Sequence, residues 1–241
     1  MAIAGLYKTF EHWGSTGTTW IYSDTHFNDE DMIALCGYPS AEEHIKKINS
    51  KVGRADTFIL LGDVGNVEFV KQIRARKKIL IMGNHDAGRT NYERVNYHER
   101  FEIERSEEDV IDSMKRLYPN CQYAAFEACG FHAPFEWWDV YADNRLFDEV
   151  YEGPVMISEK LILSHEPIDV PWAFNIHGHV HDNYRKNDKR HFCAAANKIN
   201  YTPINFNQWM KQGYLSKIED IHRTTIDTAT ARSKKKGKRY V

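Results

Sequence analysis

Short apolar runs that end in polar clusters recur along this chain. They cover residues 18–23, 57–61, 78–82, 160–163 and 173–176, and isoleucine, leucine and phenylalanine are frequent in them. Runs of this length and composition are typical of strands that are buried on both faces. We therefore predict a β-strand at each of these positions.

Helical patterns separate the first three predicted strands. Ser40 precedes residues 41–52, in which apolar side chains recur at helical spacing, and a serine at that position can cap a helix. Residues 66–75 show a similar spacing. Because strands that alternate with helices form parallel sheets, this part of the chain predicts an α/β fold.

The second half of the chain has weaker patterns. Residues 106–117 begin with serine and acidic side chains, which favours a capped helix. Residues 118–141 are rich in aromatic side chains, and residues 146–164 alternate apolar and polar positions. This alternation predicts antiparallel strands. A last helical pattern covers residues 205–221.

The length of 241 residues allows one domain with a sizeable core. We predict a single domain over residues 1–222, in which about residues 88–160 form a partly aromatic insertion. Residues 223–241 contain a run of lysine and arginine with few apolar partners. Such a segment cannot bury enough apolar surface to fold, so we expect a disordered basic tail.

Charge and composition narrow the classes of function. The formal net charge of -2 argues against a nucleic-acid-binding protein. The basic tail would either contact a polyanion or be solvated, and we favour the solvated tail. No apolar run approaches the roughly 18 residues that a membrane-spanning helix needs, and the first residues lack the pattern of a signal peptide. The four cysteines form no CxxC pair, which indicates reduced thiols. We therefore expect a cytoplasmic protein without a membrane partner.

Residue types that bind metals follow the predicted strands. They are Asp24, His26, Asp63, Asn84, His165, His179 and His181. Because the carboxyl ends of strands in open α/β sheets form one edge, the loops there can bring these side chains together. Carboxylates, an amide oxygen and imidazoles without a thiolate suit manganese, iron, nickel or zinc. So many ligands favour two metals that share a carboxylate over a single metal.

Five short motifs contain these residues in chain order. They are Asp24-Thr25-His26, Gly62-Asp63, Gly83-Asn84-His85-Asp86, Ser164-His165 and Gly178-His179-Val180-His181. This series resembles the motifs DxH, GD, GNH(D/E), H and GHxH of the calcineurin-like metallophosphoesterases, of bacterial or phage type. The resemblance implies a four-layer αββα sandwich of two mixed β-sheets flanked by helices. It also implies metal-dependent hydrolysis of a phosphate ester.

The resemblance implies a role for each matching residue. Asp24, His26 and His181 would bind one metal, and Asn84, His165 and His179 would bind the other. Asp63 would bridge the two metals, and a hydroxide between them would attack phosphorus. His85 would bind no metal and would assist the departing group. Manganese is the expected metal, with iron, nickel or zinc as alternatives.

The sequence departs from many members of the family just after Asp63. Asn66 stands where those members carry an aspartate that holds the active-site histidine, and Val67 stands where an arginine often follows. Asn66 would accept a hydrogen bond from His85 without adding a charge. Asp86 would either orient His85 or cap the following turn.

The sequence leaves two alternatives to the preferred function, which is hydrolysis of a phosphodiester. One is a phosphomonoesterase that acts on nucleotides or phosphoproteins. The other is a metal-binding interaction scaffold of the same fold, like the retromer subunit related to this family. If the protein is a phosphodiesterase or a phosphomonoesterase, its substrate is a small phosphate ester, and nucleotides are among the candidates.

Two further features also have two interpretations. The aromatic segment, residues 118–141, would form either a stacking platform for a base or the apolar underside of the insertion, and we favour the underside. His177, just before the last motif, would either support a ligand or bond to the backbone, and we favour the backbone.

Overall fold

A computed structural model describes residues 17–86, 92, 94–102, 106–117, 122–132, 135–143, 146–181, 188–218 and 231. Apart from Ala231, the predicted basic tail lies outside the described residues. The expected disorder of the tail therefore stays a prediction, as does the end of the domain at residue 222.

The first sheet contains β1 (Thr19–Tyr22), β2 (Thr57–Leu60), β3 (Lys77–Ile81), β7 (Glu149–Tyr151) and β12 (Ile204–Asn205), numbered in chain order. Their order across the sheet is β12–β1–β2–β3–β7. The strands from β1 to β7 in this order run parallel, whereas β12 is antiparallel to β1. Parallel pairing places the residues that follow β1, β2 and β3 at one edge of the sheet.

The second sheet contains β8 (Val155–Ser158), β9 (Leu161–Leu163), β10 (Phe174–His177) and β11 (His191–Cys193), in the order β11–β10–β9–β8. β9, β10 and β11 run parallel, and β8 is antiparallel to β9. All the predicted strands are present, as β1, β2, β3, β9 and β10. Two mixed sheets with flanking helices confirm the predicted α/β fold class.

The α-helices that the structure describes are α1 (Glu30–Cys36), α2 (Ala41–Asn49), α3 (Glu107–Leu117) and α4 (Phe206–Lys211). Shorter 3-10 helices cover Val67–Gln72, Ala196–Ile199 and Tyr214–Lys217. The sequence patterns predicted α2 and α3 but not α1.

The local amino-acid sequence explains which predicted helices are present in the structure and which differ from the prediction. Ser40 caps α2 as predicted, because its hydroxyl oxygen accepts a hydrogen bond from the backbone N–H of Glu43 at 3.3 Å. The helix predicted over residues 66–75 is a 3-10 helix instead, and two β-branched valines in it lower its propensity for an α-helix. The pattern over residues 205–221 is interrupted by Gly213, whose φ of 73° ends one helix before the next begins.

Apolar side chains cover both faces of the first sheet. On one face, Tyr22, Phe58, Leu60 and Leu80 form a core with Ile45 and Ile48 of α2. On the other face, Ile21, Ile59 and Ile79 form a core with Leu161, Leu163 and Ile176 of the second sheet. The first sheet is thus buried on both faces, which explains its continuous apolar runs. This packing holds the two sheets face to face and fixes the strand ends that carry the site.

A third sheet lies within the predicted insertion. It consists of β4 (Arg94–Glu102), β5 (Gln122–His132) and β6 (Phe135–Asp143), which pair antiparallel in the order β4–β6–β5, and α3 contacts β5. Most of the aromatic segment belongs to β5 and β6. The strands β7 and β8 also fall within residues 88–160, but they belong to the two large sheets. The predicted antiparallel pairing is present between β8 and β9, whereas β7 runs parallel to β3.

Candidate metal centre

The structure brings all the predicted ligands together at the carboxyl ends of strands from both large sheets. Asp24 and His26 follow β1, Asp63 follows β2, Asn84 follows β3, His165 follows β9, and His179 and His181 follow β10. Backbone hydrogen bonds join these loops, for example from His26 N to the carbonyl of Asp63 at 3.0 Å and from Gly178 N to the carbonyl of His165 at 2.8 Å. The site is therefore built across the two sheets.

Asp24, His26 and His181 form a first group of potential ligands, with their ligand atoms within 4.8 Å of one another. Nε2 of His181 lies 3.4 Å from Oδ1 of Asp24. Nε2 of His26 is buried and has no hydrogen-bond partner among the described residues. A buried polar atom without a partner is costly, so this nitrogen is placed to bind a cation.

Asp63, His165 and His179 form a second group, and Asn84 adjoins it. Nε2 of His165 lies 3.0 Å from Oδ1 of Asn84, 3.1 Å from Nδ1 of His179 and 3.3 Å from Oδ2 of Asp63. Atoms that each lie about 2.0–2.2 Å from one metal are roughly 3.0–3.5 Å apart. The spacing in this group therefore matches a coordination shell.

Asp63 connects the two groups through a single oxygen. Oδ2 of Asp63 lies 3.5 Å from Nε2 of His26 in the first group and 3.3 Å from Nε2 of His165 in the second. A carboxylate in this position is the type of ligand that two cations share. The donor atoms and their spacing thus fit two divalent cations.

In three of the histidines, Nδ1 has a polar partner outside the groups of ligands, and Nε2 faces the centre. Nδ1 of His165 donates to the carbonyl oxygen of Leu61 at 2.7 Å, and Nδ1 of His26 lies 3.2 Å from Oδ2 of Asp29. Nδ1 of His181 lies 2.9 Å from the hydroxyl of Tyr38. Such partners fix the tautomer and the ring orientation of a metal-binding histidine.

The sequence patterns missed two of these orienting side chains. Asp29 could have been found, because it lies three residues after His26 and also caps α1 by accepting a hydrogen bond from the backbone N–H of Met32 at 3.1 Å. Tyr38 could not, since 143 residues separate it from His181 and only the folded chain brings them together.

Asp86 connects the loops that follow β2 and β3. Its carboxylate accepts hydrogen bonds from the backbone N–H groups of Gly83 at 2.7 Å, Val64 at 3.0 Å and Asp63 at 3.1 Å. The hydroxyl of Tyr92 donates a further bond at 3.3 Å. Asp86 was predicted to orient His85 or to cap a turn, and the structure shows that it holds both loops together.

His85 lies at the exposed side of the centre. Its backbone N–H donates to Oδ1 of Asp63 at 3.0 Å, and its ring lies 5.7 Å from the ring of His26, measured between centroids. The oxygen of Asn66, predicted to accept from His85, accepts from the backbone N–H of Glu68 at 3.1 Å. The contact between Asn66 and His85 therefore stays a prediction.

His177 is buried and does not join either group of ligands. Its Nδ1 donates to the carbonyl oxygen of Gly178 at 2.8 Å, as expected for a histidine that bonds to the backbone. Its neighbour Gly178 is required by close packing, because a Cβ atom there would overlap Oγ of Ser23 and Oδ2 of Asp24. The glycine of the last motif thus lets β10 approach the loop after β1.

Several candidate ligands have a backbone conformation that is rare outside glycine. The φ angles are 56° for Asp24, 40° for His26, 54° for Asp63 and 64° for His179. Such conformations cost of the order of 1–3 kcal/mol each and persist only where the surroundings enforce them. Here the loop hydrogen bonds and the contact of both carboxylate oxygens of Asp24 with the N–H of His179, each at 3.0 Å, supply that constraint.

The charges of the centre also favour a cation. Burial raises the pKa of Asp24 to about 6. Burial also acts on Asp63, but the hydrogen bond and the charge of His165 outweigh it and lower the pKa of this carboxyl. For His165, burial lowers the pKa, whereas Asp63 and Asp24 raise it to about 9. The two carboxylates thus attract positive charge, which a divalent cation would supply more strongly than a proton.

Comparison with known proteins places this centre in a family. The sequence profile described as calcineurin-like phosphoesterase matches residues 17–201, which include every candidate ligand. The chain belongs to the calcineurin-like phosphoesterase family. Membership and the two groups of potential metal ligands together support metal-dependent hydrolysis of a phosphoester.

Other comparisons add less. The crystal structure of AQ665, a protein of unknown function from Aquifex aeolicus, is similar with a TM-score of 0.47 and 21% sequence identity, over 81% of this chain and 98% of that chain. The chain matches no curated protein. None of the helices in the described part of the chain has both the length and the apolar character needed to cross a membrane.

Proposed function

We propose that this protein hydrolyses phosphodiesters with the help of two divalent cations. The observation that carries the proposal is the sharing of Oδ2 of Asp63 between two groups of ligands, with 3.5 Å to His26 and 3.3 Å to His165. When bound, two cations would lower the pKa of water and neutralise charge on the phosphoryl group. Manganese is the proposed metal, with iron, nickel or zinc as alternatives for the same donor atoms.

The residues of the chain would perform the remaining tasks. In the proposed reaction the oxygen of water bonds to phosphorus, the bond from phosphorus to one ester oxygen breaks, and the departing alcohol takes up a proton. His85 is exposed at the mouth of the centre, and an imidazole can donate a proton near neutral pH. Its backbone N–H holds Asp63, so the main chain and the side chain of one residue would serve different roles.

The proposed preference for a diester follows from Val67, an apolar residue four positions after Asp63 in the chain. Val67 occupies the position where relatives often carry an arginine, and its side chain packs against the apolar core. A monoester dianion would therefore lack the paired hydrogen bonds that an arginine provides. A diester carries one negative charge less, so it needs less compensation.

The proposal is tested by comparing bis(4-nitrophenyl) phosphate with 4-nitrophenyl phosphate in the presence of manganese. We expect a higher kcat/KM for the diester, and no turnover of either compound after chelation. A clear preference for the monoester would overturn the diester proposal. It would support the phosphomonoesterase alternative, in which Arg89 or Arg94 provides the missing positive charge, and replacement of each arginine by alanine would identify it.

The scaffold alternative makes a different prediction. A scaffold that retained these ligands would bind metal but would hydrolyse neither ester, nor nucleotides, at a rate above that of free manganese. All the ligand positions of the five motifs are retained here, which favours an enzyme.

A further inference from the structure

The helix α1 lies between two side chains that support the first group of ligands. Asp29 directly precedes the helix, and its Oδ2 lies 3.2 Å from Nδ1 of His26. Tyr38 follows two positions after the helix ends, and its hydroxyl lies 2.9 Å from Nδ1 of His181. The chain therefore passes through α1 on its way from the support of one histidine to the support of the other.

The helix α1 itself has little contact with the rest of the protein. It is seven residues long, none of its side chains is buried, and Leu35 is 80% exposed. Met32 is partly buried and packs against the first core. Because isolated helices shorter than about 12–15 residues are marginal in water, the stability of α1 depends on the contacts at its two ends.

Asp29 joins the start of α1 to His26 through one carboxylate. Its Oδ1 accepts a hydrogen bond from the backbone N–H of Met32 at 3.1 Å, which caps the helix, while Oδ2 faces Nδ1 of His26. Nε2 of His26 is buried without a hydrogen-bond partner among the described residues. With a cation on Nε2, the ring would carry its proton on Nδ1 and donate it to Asp29. Cation binding would thus hold the carboxylate where it caps α1.

Tyr38 joins the end of α1 to His181. Its backbone N–H donates to the carbonyl of Met32 at 3.2 Å, and its buried ring packs edge-on against His44 and Tyr201. Nε2 of His181 faces the centre. With a cation on this Nε2, Nδ1 would donate to the hydroxyl oxygen of Tyr38. A hydrogen bond would then link the end of α1 to the same cation.

We infer that cation binding by the first group and complete folding of α1 occur together, with Asp29 and Tyr38 as the positioning residues that couple them. The inference rests on the proposed binding of cations, but it does not depend on which ester is hydrolysed. The second group is supported differently, since His165 donates to the carbonyl of the buried Leu61. The cation of the first group is therefore the one whose release opens α1.

Hydrogen exchange of the α1 amides tests the inference. Mass spectrometry of a peptide over residues 28–38 compares the wild-type protein with manganese and with chelator. We expect manganese to slow exchange in this peptide at least about tenfold. The helix α2 packs its apolar face on the core, so it should be equally protected in both conditions over the same labelling times.

Variants then assign the coupling to the two positioning residues. Asp29→Ser retains a cap for α1 but has no carboxylate to reach His26, and Tyr38→Phe retains the ring without the hydroxyl. In each variant we expect manganese to slow exchange in α1 less than about threefold. Tyr151→Phe is the matched control, because it removes a hydroxyl that bonds to Glu149 on β7, and it should keep the full effect.

Coupling is reciprocal, so a weaker α1 must also bind the cation less tightly. Ala34 is exposed within α1, and glycine disfavours a helix about four- to fivefold relative to alanine. By calorimetric titration, we expect the product of the two manganese binding constants to fall about three- to fivefold in Ala34→Gly. Ser113→Gly, in α3, should leave this product unchanged.

The outcomes separate this inference from the proposed centre. Three results would overturn the coupling in a wild type that binds two ions: equal exchange with and without manganese, full slowing in both Asp29→Ser and Tyr38→Phe, or unchanged affinity in Ala34→Gly. Failure of the wild type to bind manganese at all would overturn the proposed centre itself.

Discussion

His85 belongs to a metal-binding motif without contributing its side chain to either group of ligands. Its backbone N–H bonds to Asp63, and alanine retains that N–H. We predict that His85→Ala keeps its metal content and loses about 10²-fold in kcat, the usual scale for a general acid or base. Elemental analysis and steady-state kinetics on the same preparation measure both quantities.

The control for this prediction is Asn84→Ala, the neighbouring change. It removes an oxygen that lies 3.0 Å from Nε2 of His165 and should lower the metal content. Metal loss in His85→Ala as well would show that His85 is a ligand or supports one. Unchanged kcat would show that its side chain takes no part in the reaction.

Asp86 stabilises the loops after β2 and β3, because its carboxylate accepts hydrogen bonds from backbone N–H groups in both loops. In Asp86→Asn one acceptor oxygen becomes an NH2 group. A backbone N–H that bonds to the carboxylate in the wild type therefore loses its acceptor. An unsatisfied buried donor costs about 1–3 kcal/mol, and we predict a decrease of that size in the free energy of unfolding. Urea denaturation measures it.

Asp148→Asn is the matched control for Asp86→Asn. The carboxylate of Asp148 accepts a backbone hydrogen bond from Lys78 at 2.7 Å, but it does so at the surface, where water can replace it. The control should cost less than about 1 kcal/mol. Equal effects of the two substitutions would show that Asp86 is no more important than an ordinary surface carboxylate.

At the scale of residues, the sequence predicted the ligands but not all of their supports. The ligands could be predicted because each follows a strand and belongs to one of a series of short motifs. Asp86 could be predicted as a residue of the site, but its role could not, since its partners lie on two loops. Tyr38 could not be predicted, because its contact with His181 depends on the packing of the loop after α1.

Among the elements, α2 connects the core to the loop after β1 through a histidine. His44 is buried, contacts the hydroxyl of Tyr22 through Nε2 and bonds to the backbone of Thr25. Burial, with a smaller effect of Lys47, lowers the pKa of His44 from 6.5 to about 3. The folded protein therefore keeps His44 neutral.

This lowered pKa makes stability depend on pH. The unfolded chain binds a proton at His44 below pH 6.5, whereas the folded chain does so only near pH 3. Stability from this residue is thus full above pH 6.5 and decreases as pH falls towards 3. From pH 7 to 5 we predict an additional loss of about 2 kcal/mol in the free energy of unfolding, relative to His44→Gln.

Urea denaturation of both proteins at the two pH values, with chelator to remove metals, measures this difference. The glutamine variant should be less stable at pH 7 but should change less on acidification. Parallel decreases in the two proteins would show that His44 already binds a proton in the folded state.

At the scale of elements, burial decided what could be predicted. Strands buried on both faces appeared as apolar runs, and α2 appeared as a capped amphipathic helix. The helix α1 is only seven residues long and has no buried residue, and its cap at Asp29 is the feature that marks its start. The strand β12 is two residues long, too short for any periodicity, and its place beside β1 is set by tertiary pairing.

For the whole molecule, the proposed sharing of Asp63 implies that two cations would bind as a pair. We predict close to two metal ions per chain after loading with manganese. Asp63→Asn should reduce the binding of both ions, whereas His26→Ala should mainly reduce one. Elemental analysis and calorimetric titration measure the content and the number of binding steps. A wild-type ratio below one, or loss of one ion only in Asp63→Asn, would contradict the shared centre.

Each group of ligands includes residues that follow strands of both large sheets. Bound cations would therefore link the two sheets and would slow proteolysis of the protein. Without cations, mainly apolar packing and the loop hydrogen bonds would hold the sheets together beside the centre. We expect amides near the ends of β9 and β10 to exchange with solvent faster in chelator, and equal exchange with and without metal would contradict this. In a cell short of the metal, proteases would then remove the protein, so metal supply would control its abundance as well as its activity.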